Sequence, residues 1–414
     1  MKEKRRRKAI LWNTASGLVN AGQSAVILIF ISHHLQLNDA GIFTIGYALG
    51  NLFMTMGKYG VRNFQVTDYK EQFSFREYRN FRVLTSIIGC LIMFLYLLLQ
   101  SLSGKYSPEK TLVVALICLW KMIDPIEDVY YGMYQQKDRL DVGAMCYTIR
   151  LTLSTVVFCA LTITGISLAA ISAVTLLVSL VSAVIMVILT KRGFPTTGDV
   201  FRKDSVGRLF RSCFPLFIGT SLSIYVGNAP KYLIDWFSNA DDVQAVFGYI
   251  MMPTFVIMMI NQFIYQPFIR DLGMLWQCGR RKELVKRVLI QFVVTAAITF
   301  CVVAAGAVAG IPVLSRFYNT DLSPYKTDFI ILLIGGGIYA LANYITVPMT
   351  AIRAQNGVAI GYVIVSVFSV VLGKSLIPGT GVSGATRLYV ILNIILAIFF
   401  GTYFFVMVRR NTER

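Results

Sequence analysis

Residues 116–139 read LICLWKMIDPIEDVYYGMYQQKDR and place an ammonium group and three carboxylates at the end of an apolar run. The run begins like a membrane span, but Lys121, Asp124, Glu127 and Asp128 then follow. A charge near the centre of a bilayer costs between about 3 and more than about 10 kcal/mol. We therefore expect the face that carries these charges to contact protein or a wet cavity, not lipid.

The composition of the whole chain is that of a membrane protein. Of its 414 residues, 56% are hydrophobic and only 14% are charged, whereas soluble domains contain about 25% charged residues. Apolar runs of about 20 residues, the length of a helix that crosses a bilayer, recur along the sequence. They predict an all-α polytopic membrane protein with twelve transmembrane helices. The predicted spans are residues 10–33, 40–60, 82–101, 111–133, 143–164, 167–189, 210–236, 243–268, 288–310, 328–350, 357–373 and 386–408.

Positive charge alternates between the connections on the two sides of the membrane. With the N-terminus inside, 30 of the 39 Lys and Arg residues fall in the inner segments and six in the outer loops. Cytoplasmic loops retain Lys and Arg, so both termini are predicted to be cytoplasmic. Contact of these loops with anionic membrane lipids explains the net charge of +18 without a nucleic-acid partner.

No GxGxxG motif follows a predicted strand. GxxxxGK[ST], HExxH and GxSxG are all absent, and the seven cysteines do not have the spacing of metal ligands. We therefore expect no enzyme activity, no catalytic residue, no metal site and no cofactor.

Two pairs of similar stretches suggest that the chain has two six-span halves. HLQLNDAGIFTIGYALGNLF, at the second predicted span, parallels WFSNADDVQAVFGYIMMPTF at the eighth, and GMYQQKDRLDVG parallels TAIRAQNGVAIG after the fourth and tenth. Two six-helix lobes of the same orientation, with a cavity between them, are an arrangement known among secondary transporters. The predicted domains are an N-terminal lobe (1–190), a cytoplasmic linker (191–209), a C-terminal lobe (210–408) and a cytoplasmic tail (409–414).

The charges of the fourth span are expected to fall on two faces. At about 100° per residue, Lys121, Asp124 and Asp128 share one face, while Glu127 points elsewhere and is matched with Arg150 or with the inner surface. Pro125 has no amide hydrogen for the carbonyl of Lys121, so it predicts either a hinge or an ordinary membrane-helix proline.

Two other predicted spans carry charged residues that are candidates for a site. Lys231 and Asp235 form an i, i+4 pair in the seventh span, beside a second candidate hinge at Pro230. Arg150 in the fifth span is either a structural partner of the fourth span or a cation of the cavity. The tenth span, which corresponds to the fourth, carries none of the fourth span's buried charges. This asymmetry favours a role for the charges in binding a ligand or an ion.

Several stretches resemble the polysaccharide transporter family, the O-antigen and capsule repeat-unit flippases of the multidrug/oligosaccharidyl-lipid/polysaccharide exporter superfamily. The resemblance covers essentially all twelve spans. The stretches that carry it are NTASGLVNAGQSAV (13–26), LNDAGIFTIGYALGNLF (37–53), GKYGVRNFQVTD (57–68), GMYQQKDR (132–139) and AIRAQNG (351–357).

The resemblance implies a V-shaped pair of six-helix lobes that works by alternating access in a bacterial cytoplasmic membrane. The implied substrate is an undecaprenyl-pyrophosphate-linked oligosaccharide, which moves to the outer leaflet and is then used by polymerase and chain-length proteins. The implied cationic cavity has as candidates Lys121, Arg150 and Lys231, with Arg62 and Arg353 at its inner mouth.

Three carboxylates depart from a simple anion site. Asp124, Asp128 and Asp235 suggest either coupling to H+ or Na+ or a balanced network of salt bridges. Two other functions therefore stay open: a cation-coupled multidrug exporter of the same superfamily, and a non-transporting component of an envelope polysaccharide assembly complex. Lys121, Arg150 and Lys231 disfavour the first because they would repel a cationic substrate.

Overall fold

The computed structural model describes residues 2–68, 71–194, 202, 204–265, 268–352 and 354–410, and these residues form helices joined by short turns, without a strand. The chain divides into two compact units, Met1–Ile224 and Tyr225–Arg414. The prediction of an all-α polytopic protein is confirmed.

The first unit contains eight helices and the start of a ninth among the described residues. They are α1 (Lys2–His34), α2 (Leu37–Lys58), α3 (Val61–Thr67), α4 (Phe75–Leu102), α5 (Pro108–Lys121), α6 (Ile123–Gln136), α7 (Leu140–Ile163), α8 (Leu168–Lys191) and α9 (Ser205–Phe237).

The second unit contains the end of α9 and eight further helices within the described ranges. They are α10 (Asp241–Met251), α11 (Thr254–Tyr265), α12 (Ile269–Gln277), α13 (Arg281–Ala305), α14 (Ile311–Phe317), α15 (Lys326–Ala351), α16 (Gln355–Leu376) and α17 (Gly381–Arg410). A π-helical turn at Gly306–Gly310 joins α13 to α14.

Eleven helices in the described part of the chain are long and apolar enough to cross a membrane. The predicted fourth span is not among them because it is divided at Met122 into α5 and α6, each 14 residues long. The division lies where Pro125 leaves the carbonyl of Lys121 without its helical amide partner. That this break acts as a hinge stays a prediction. In contrast, α9 continues through Pro230 without interruption.

Local sequence fixes where several helices begin. Ser74 accepts a hydrogen bond from the amide of Glu77, and the Glu77 carboxylate accepts one from the amide of Ser74, which forms a capping box at the start of α4. Ser107 caps α5 in the same position, with Pro108 as the first helical residue. These caps place the starts of the two helices that carry part of the site.

The boundary between the units falls inside α9, beyond the predicted linker at residues 191–209. Leu209 and Cys213, early in α9, are buried in one core with Tyr59, Phe81 and Val129 of the first unit. The predicted limits of the two lobes stay a prediction.

Equivalent helices pack together in both units. α2 packs on α5, α7 on α8 and α5 on α8 in the first unit; α11 packs on α15, α16 on α17 and α15 on α17 in the second. Because these pairs correspond under the predicted repeat, the packing supports two related halves.

Glycines in α15 allow close packing in the second unit. A Cβ on Gly336 would lie 2.8 Å from Cβ of Thr254, and a Cβ on Gly337 would overlap the side chain of Thr299. Small residues at such contacts let helices approach closely in a membrane. Gly336 and Gly337 are therefore positions where α15 packs closely against its neighbours.

Replacement of Gly336 by alanine is expected to destabilise the protein by about 1–3 kcal/mol, because the added methyl group overpacks the contact with Thr254. The measurement is the unfolding midpoint of the purified protein in detergent. The matched control is Gly401→Ala in α17, where a Cβ would have no neighbour within 4 Å. Equal midpoints for the two variants would contradict the packing role.

Candidate functional site

Five cationic and three acidic side chains meet in the first unit, and we call them the charge cluster. All but two are buried; Lys58 and Arg62 are partly exposed, with 29% and 32% of their side-chain surface accessible. The cations are Lys58, Arg62, Arg82, Lys121 and Arg150, and the acids are Asp124, Glu127 and Asp128.

Arg150 of α7 joins two carboxylates of α6. Its Nη2 donates to Oδ1 of Asp124, and its Nε lies 2.7 Å from Oε2 of Glu127. Nη1 donates to the hydroxyl of Ser179 on α8 at 2.9 Å. The structure therefore shows the interhelical salt bridge that was one of the two expectations for Arg150, and it places Glu127 with Arg150 as predicted.

The two carboxylates do not share Arg150 equally. Asp124 also accepts a hydrogen bond from the hydroxyl of Tyr147 at 3.0 Å, and its Oδ2 lies 3.9 Å from Nζ of Lys58. Glu127 is as deeply buried, yet neither of its oxygens has a partner with hydrogen-bond geometry among the described residues. Its ion pair with Arg150 is the contact that the structure shows for the Glu127 carboxylate.

Asp128 lies between two arginines. Arg82 donates from Nη2 to one oxygen of Asp128 at 2.8 Å, and Arg62 donates from Nη1 to the other at 3.2 Å. Arg82 also donates to the backbone carbonyls of Gly57 and Lys58 at the end of α2. The aspartate and the arginines thus fix α2, α3, α4 and α6 to one another.

Lys121 has a different environment. Its Nζ donates to Oε1 of Gln23 at 2.9 Å and lies 3.9 Å from the ring centroid of Tyr47. The Tyr47 hydroxyl donates to the same Gln23 oxygen at 3.1 Å, and Nε2 of Gln23 donates to the Thr155 hydroxyl at 2.9 Å. No carboxylate forms a salt bridge with Lys121 in the part of the chain that the structure describes.

That Lys121, Asp124 and Asp128 share one face stays a prediction. It rests on one continuous helix, whereas α5 ends at Lys121 and α6 begins at Ile123. The three side chains have different partners. Lys121 contacts the Gln23 amide and the Tyr47 ring. Asp124 contacts Arg150 and Lys58, and Asp128 contacts Arg62 and Arg82.

Glycines of α2 bring the broken span close enough to form the cluster. A Cβ on Gly50 would lie 2.9 Å from Cγ of Lys121, and a Cβ on Gly57 would lie 3.0 Å from Cγ of Pro125. The absence of a side chain at both positions lets α2 lie directly against the break.

The remaining predicted residues lie elsewhere. Lys231 is buried in the second unit, with its Nζ 5.9 Å from the ring centroid of Phe255. Asp235 is also buried, but the structure shows no salt bridge between it and Lys231. Arg353 lies outside the described residues. Among those described, no group of three His, Cys, Asp or Glu side chains could hold a metal ion.

Sequence reasoning missed Arg82, Gln23 and Tyr47. Arg82 stands at the edge of the third predicted span, where a cation is ordinary, and only the structure shows it fully buried against Asp128. Gln23 belongs to a set of polar residues in the first span, which was the available signal for a polar contact.

Comparison with known proteins places the chain in a family. The sequence pattern of the family described as "Polysaccharide biosynthesis protein" matches residues 7–272. The chain belongs to the polysaccharide biosynthesis protein family. A search among curated proteins gives no match.

Solved structures show that the chain has the fold of MATE transporters. An inward-facing multidrug resistance MATE family transporter of the MOP superfamily shares 13% identity over 98% of this chain and 99% of its own, with a TM-score of 0.69. The eukaryotic MATE transporter AtDTX14 shares 14% identity over 100% and 99%, with a TM-score of 0.66. At these identities the likeness establishes the fold alone. The chain is therefore a multi-pass membrane protein with this fold.

A third similar structure is a MOP superfamily transporter from Pyrococcus furiosus. It shares 13% identity over 99% of this chain and 96% of its own, with a TM-score of 0.59. It is described as having a binding pocket of reverse polarity that suggests a different function.

Proposed function

We propose that the protein is a flippase that moves an undecaprenyl-pyrophosphate-linked oligosaccharide from the cytoplasmic to the outer leaflet of a bacterial cytoplasmic membrane. It acts by alternating access, with both termini cytoplasmic, and supplies repeat units for a surface polysaccharide such as O-antigen or capsule. Membership of the polysaccharide biosynthesis protein family and the transporter fold support this proposal. Polymerase and chain-length proteins are the expected users of the product.

The observation that carries the proposal is the charge balance of the charge cluster. Five cations face three carboxylates, so two positive charges have no counter-charge within the cluster. Taking an uncompensated charge out of water is costly. A pyrophosphate ligand with a charge of about −2 would balance this excess, and phosphates carry roughly this charge at neutral pH.

Within the cluster, Lys121 is the cation best suited to meet such a ligand. Its hydrogen-bond partner, the Gln23 amide, is neutral, so a phosphate oxygen could replace it without breaking a salt bridge. Lysine binds phosphate as a point charge. In this proposal Arg150 keeps its structural contacts with Asp124 and Glu127, while Lys58 and Arg62 supply the more accessible charge. Lys231 is the candidate cation of the second unit.

The membrane potential favours this direction of transport. Moving a charge of about −2 outward, across a potential that is negative inside, is favourable by roughly 4.6 kcal/mol per 100 mV. An ion antiport is therefore not required by the energetics.

A cation-coupled multidrug exporter is the second candidate, because similar structures include multidrug resistance transporters. The contacts disfavour it. Asp124 and Asp128 each lie beside two cationic groups, so neither carboxylate is available for Na+, H+ or a cationic drug without displacing an arginine.

Reconstituted protein can test these functions against each other. Purified protein in liposomes is given either a fluorescent lipid-pyrophosphoryl oligosaccharide or a cationic dye, and access of a membrane-impermeant quencher reports movement. We expect protein-dependent flipping of the lipid that is faster with a potential of the favourable sign. Movement of the dye alone would support the multidrug exporter, and movement of neither would support a non-transporting assembly component. A fluorescent-protein fusion at the C-terminus tests its cytoplasmic location.

A further inference from the structure

A helical hairpin in the second unit carries a concentration of positive charge. It consists of α12 (Ile269–Gln277), a short turn and the first two turns of α13 (Arg281–Ala305). We call its cations the basic patch. The basic patch consists of Arg280, Arg281, Lys282, Lys286 and Arg287.

The hairpin is a built element of the fold. Gly279 has a φ of +71°, a left-handed conformation that glycine adopts without strain and that lets α12 turn tightly into α13. Leu272 of α12 and Leu284 of α13 are buried. Arg287 lies 3.5 Å from Oδ2 of Asp271 and joins the two helices on the outside.

One cation of the patch is held in place by a tryptophan. The guanidinium of Arg281 lies 3.3 Å from the ring centroid of Trp276, and its Nη1 donates to the Trp276 carbonyl at 2.8 Å. Tryptophan is enriched at the boundary between lipid headgroups and acyl chains. The contact therefore holds the Trp276 ring and the Arg281 charge side by side, as expected at the level of the lipid headgroups.

Positive charge exceeds negative charge on the hairpin. Its two described acids are already engaged, since Arg280 donates to Glu283 at 2.7 Å and Arg287 lies beside Asp271. Arg281, Lys282 and Lys286 have no acidic partner among the described residues, and both lysines are exposed. Lys282 and Lys286 are one helical turn apart, so their side chains project from the same face.

Exposed apolar side chains lie directly beside these cations. Met274 of α12 is 47% exposed, and Leu289 and Ile290, which follow the patch along α13, are 46% and 53% exposed. A candidate membrane span begins at Arg281. The cations therefore lie at the start of a candidate membrane span, and the apolar side chains of the next helical turn are suited to contact acyl chains.

We propose that the basic patch binds the phosphate of an anionic glycerophospholipid, with Lys282 and Lys286 as its free cations. Cations that adjoin an acyl-facing surface match the arrangement of a lipid, in which the headgroup phosphate adjoins the chains. Each Lys or Arg near an anionic membrane surface contributes about 1 kcal/mol. The basic patch shares no residue with the charge cluster. The proposed lipid binding does not depend on which substrate the protein transports.

The test compares two double variants of the full-length protein in detergent. Lys282→Gln with Lys286→Gln removes the free cations of the patch, and Lys326→Gln with Lys374→Gln removes two exposed lysines at the ends of α15 and α16. Phosphatidylglycerol and phosphatidylcholine with the same acyl chains are titrated at low salt, and native mass spectrometry measures the bound lipid.

We expect the patch variant to bind phosphatidylglycerol about 30-fold more weakly than the unaltered protein, which corresponds to about 2 kcal/mol. The control variant should keep its affinity, and phosphatidylcholine binding should not change in either. Equal weakening in the two variants, or unchanged affinity in the patch variant, would overturn the proposal. Competition by glycerol phosphate as strong as that by the lipid would also overturn it, because the ligand would then be a free anion.

Discussion

Replacement of Lys121 by methionine is expected to reduce flipping of a lipid-pyrophosphoryl oligosaccharide about 100-fold, while the folded protein accumulates nearly normally. Methionine keeps the apolar stem that packs against Gly50 but removes the charge. A hydrogen bond to a charged group contributes about 1.5–3 kcal/mol, and each 1.4 kcal/mol corresponds to roughly a tenfold change in rate. Since Lys121 forms no salt bridge with a carboxylate among the described residues, its removal breaks no ion pair.

Two further variants separate the charge from the packing. Lys121→Arg retains a cation and should recover part of the transport, whereas Gln23→Met removes the hydrogen-bond partner and leaves the ammonium in place. Initial rates in liposomes, normalised to the amount of folded protein, decide the outcome. Wild-type flipping by Lys121→Met would sink the assigned role of Lys121.

Replacement of Arg150 by methionine is expected to have the largest effect on stability, about 3–5 kcal/mol. Arg150 is the sole arginine that contacts Asp124 and Glu127 among the described residues, and its loss leaves two carboxylates in a buried site. Removal of one member of a buried ion pair destabilises a protein far more than replacement of both members by uncharged residues. The yield of monodisperse protein and its unfolding midpoint in detergent measure the effect.

The matched test neutralises all three groups together. Arg150→Met combined with Asp124→Asn and Glu127→Gln should recover most of the lost stability, because no unpaired charge remains. As a surface control, Arg139→Met breaks the pair with Asp141, in which the arginine side chain is 36% exposed, and should change stability by about 1 kcal/mol or less. If the triple variant is no more stable than Arg150→Met alone, charge compensation is not what Arg150 provides.

The sequence was sufficient for the features that depend on composition and length. Apolar runs located the spans because a bilayer sets both their length and their polarity. The match of Glu127 with Arg150 followed from adjacent antiparallel spans and similar depth. The position of the helix break followed from the missing amide of Pro125.

The contacts of the charge cluster could not be predicted because they depend on helix packing. Arg82 reaches Asp128 from α4, and Gln23 reaches Lys121 from α1, although the two partners in each case are separated by 46 and 98 residues. Lys121 and Asp124, on the two sides of Met122, also contact different groups. Local sequence describes one helix, whereas a buried polar site is assembled from several.

The interruption at Met122 has an electrostatic consequence of its own. A continuous helix would place Lys121 and Asp124 in its interior, far from either terminus. The break instead puts Lys121 in the last turn of α5 and Asp124 in the first turn of α6. Peptide dipoles make a helix C-terminus partly negative and an N-terminus partly positive, and each such placement stabilises a charge by about 0.3–2 kcal/mol. Because one helix ends and another begins within the span, the peptide dipoles of the backbone stabilise two opposite charges.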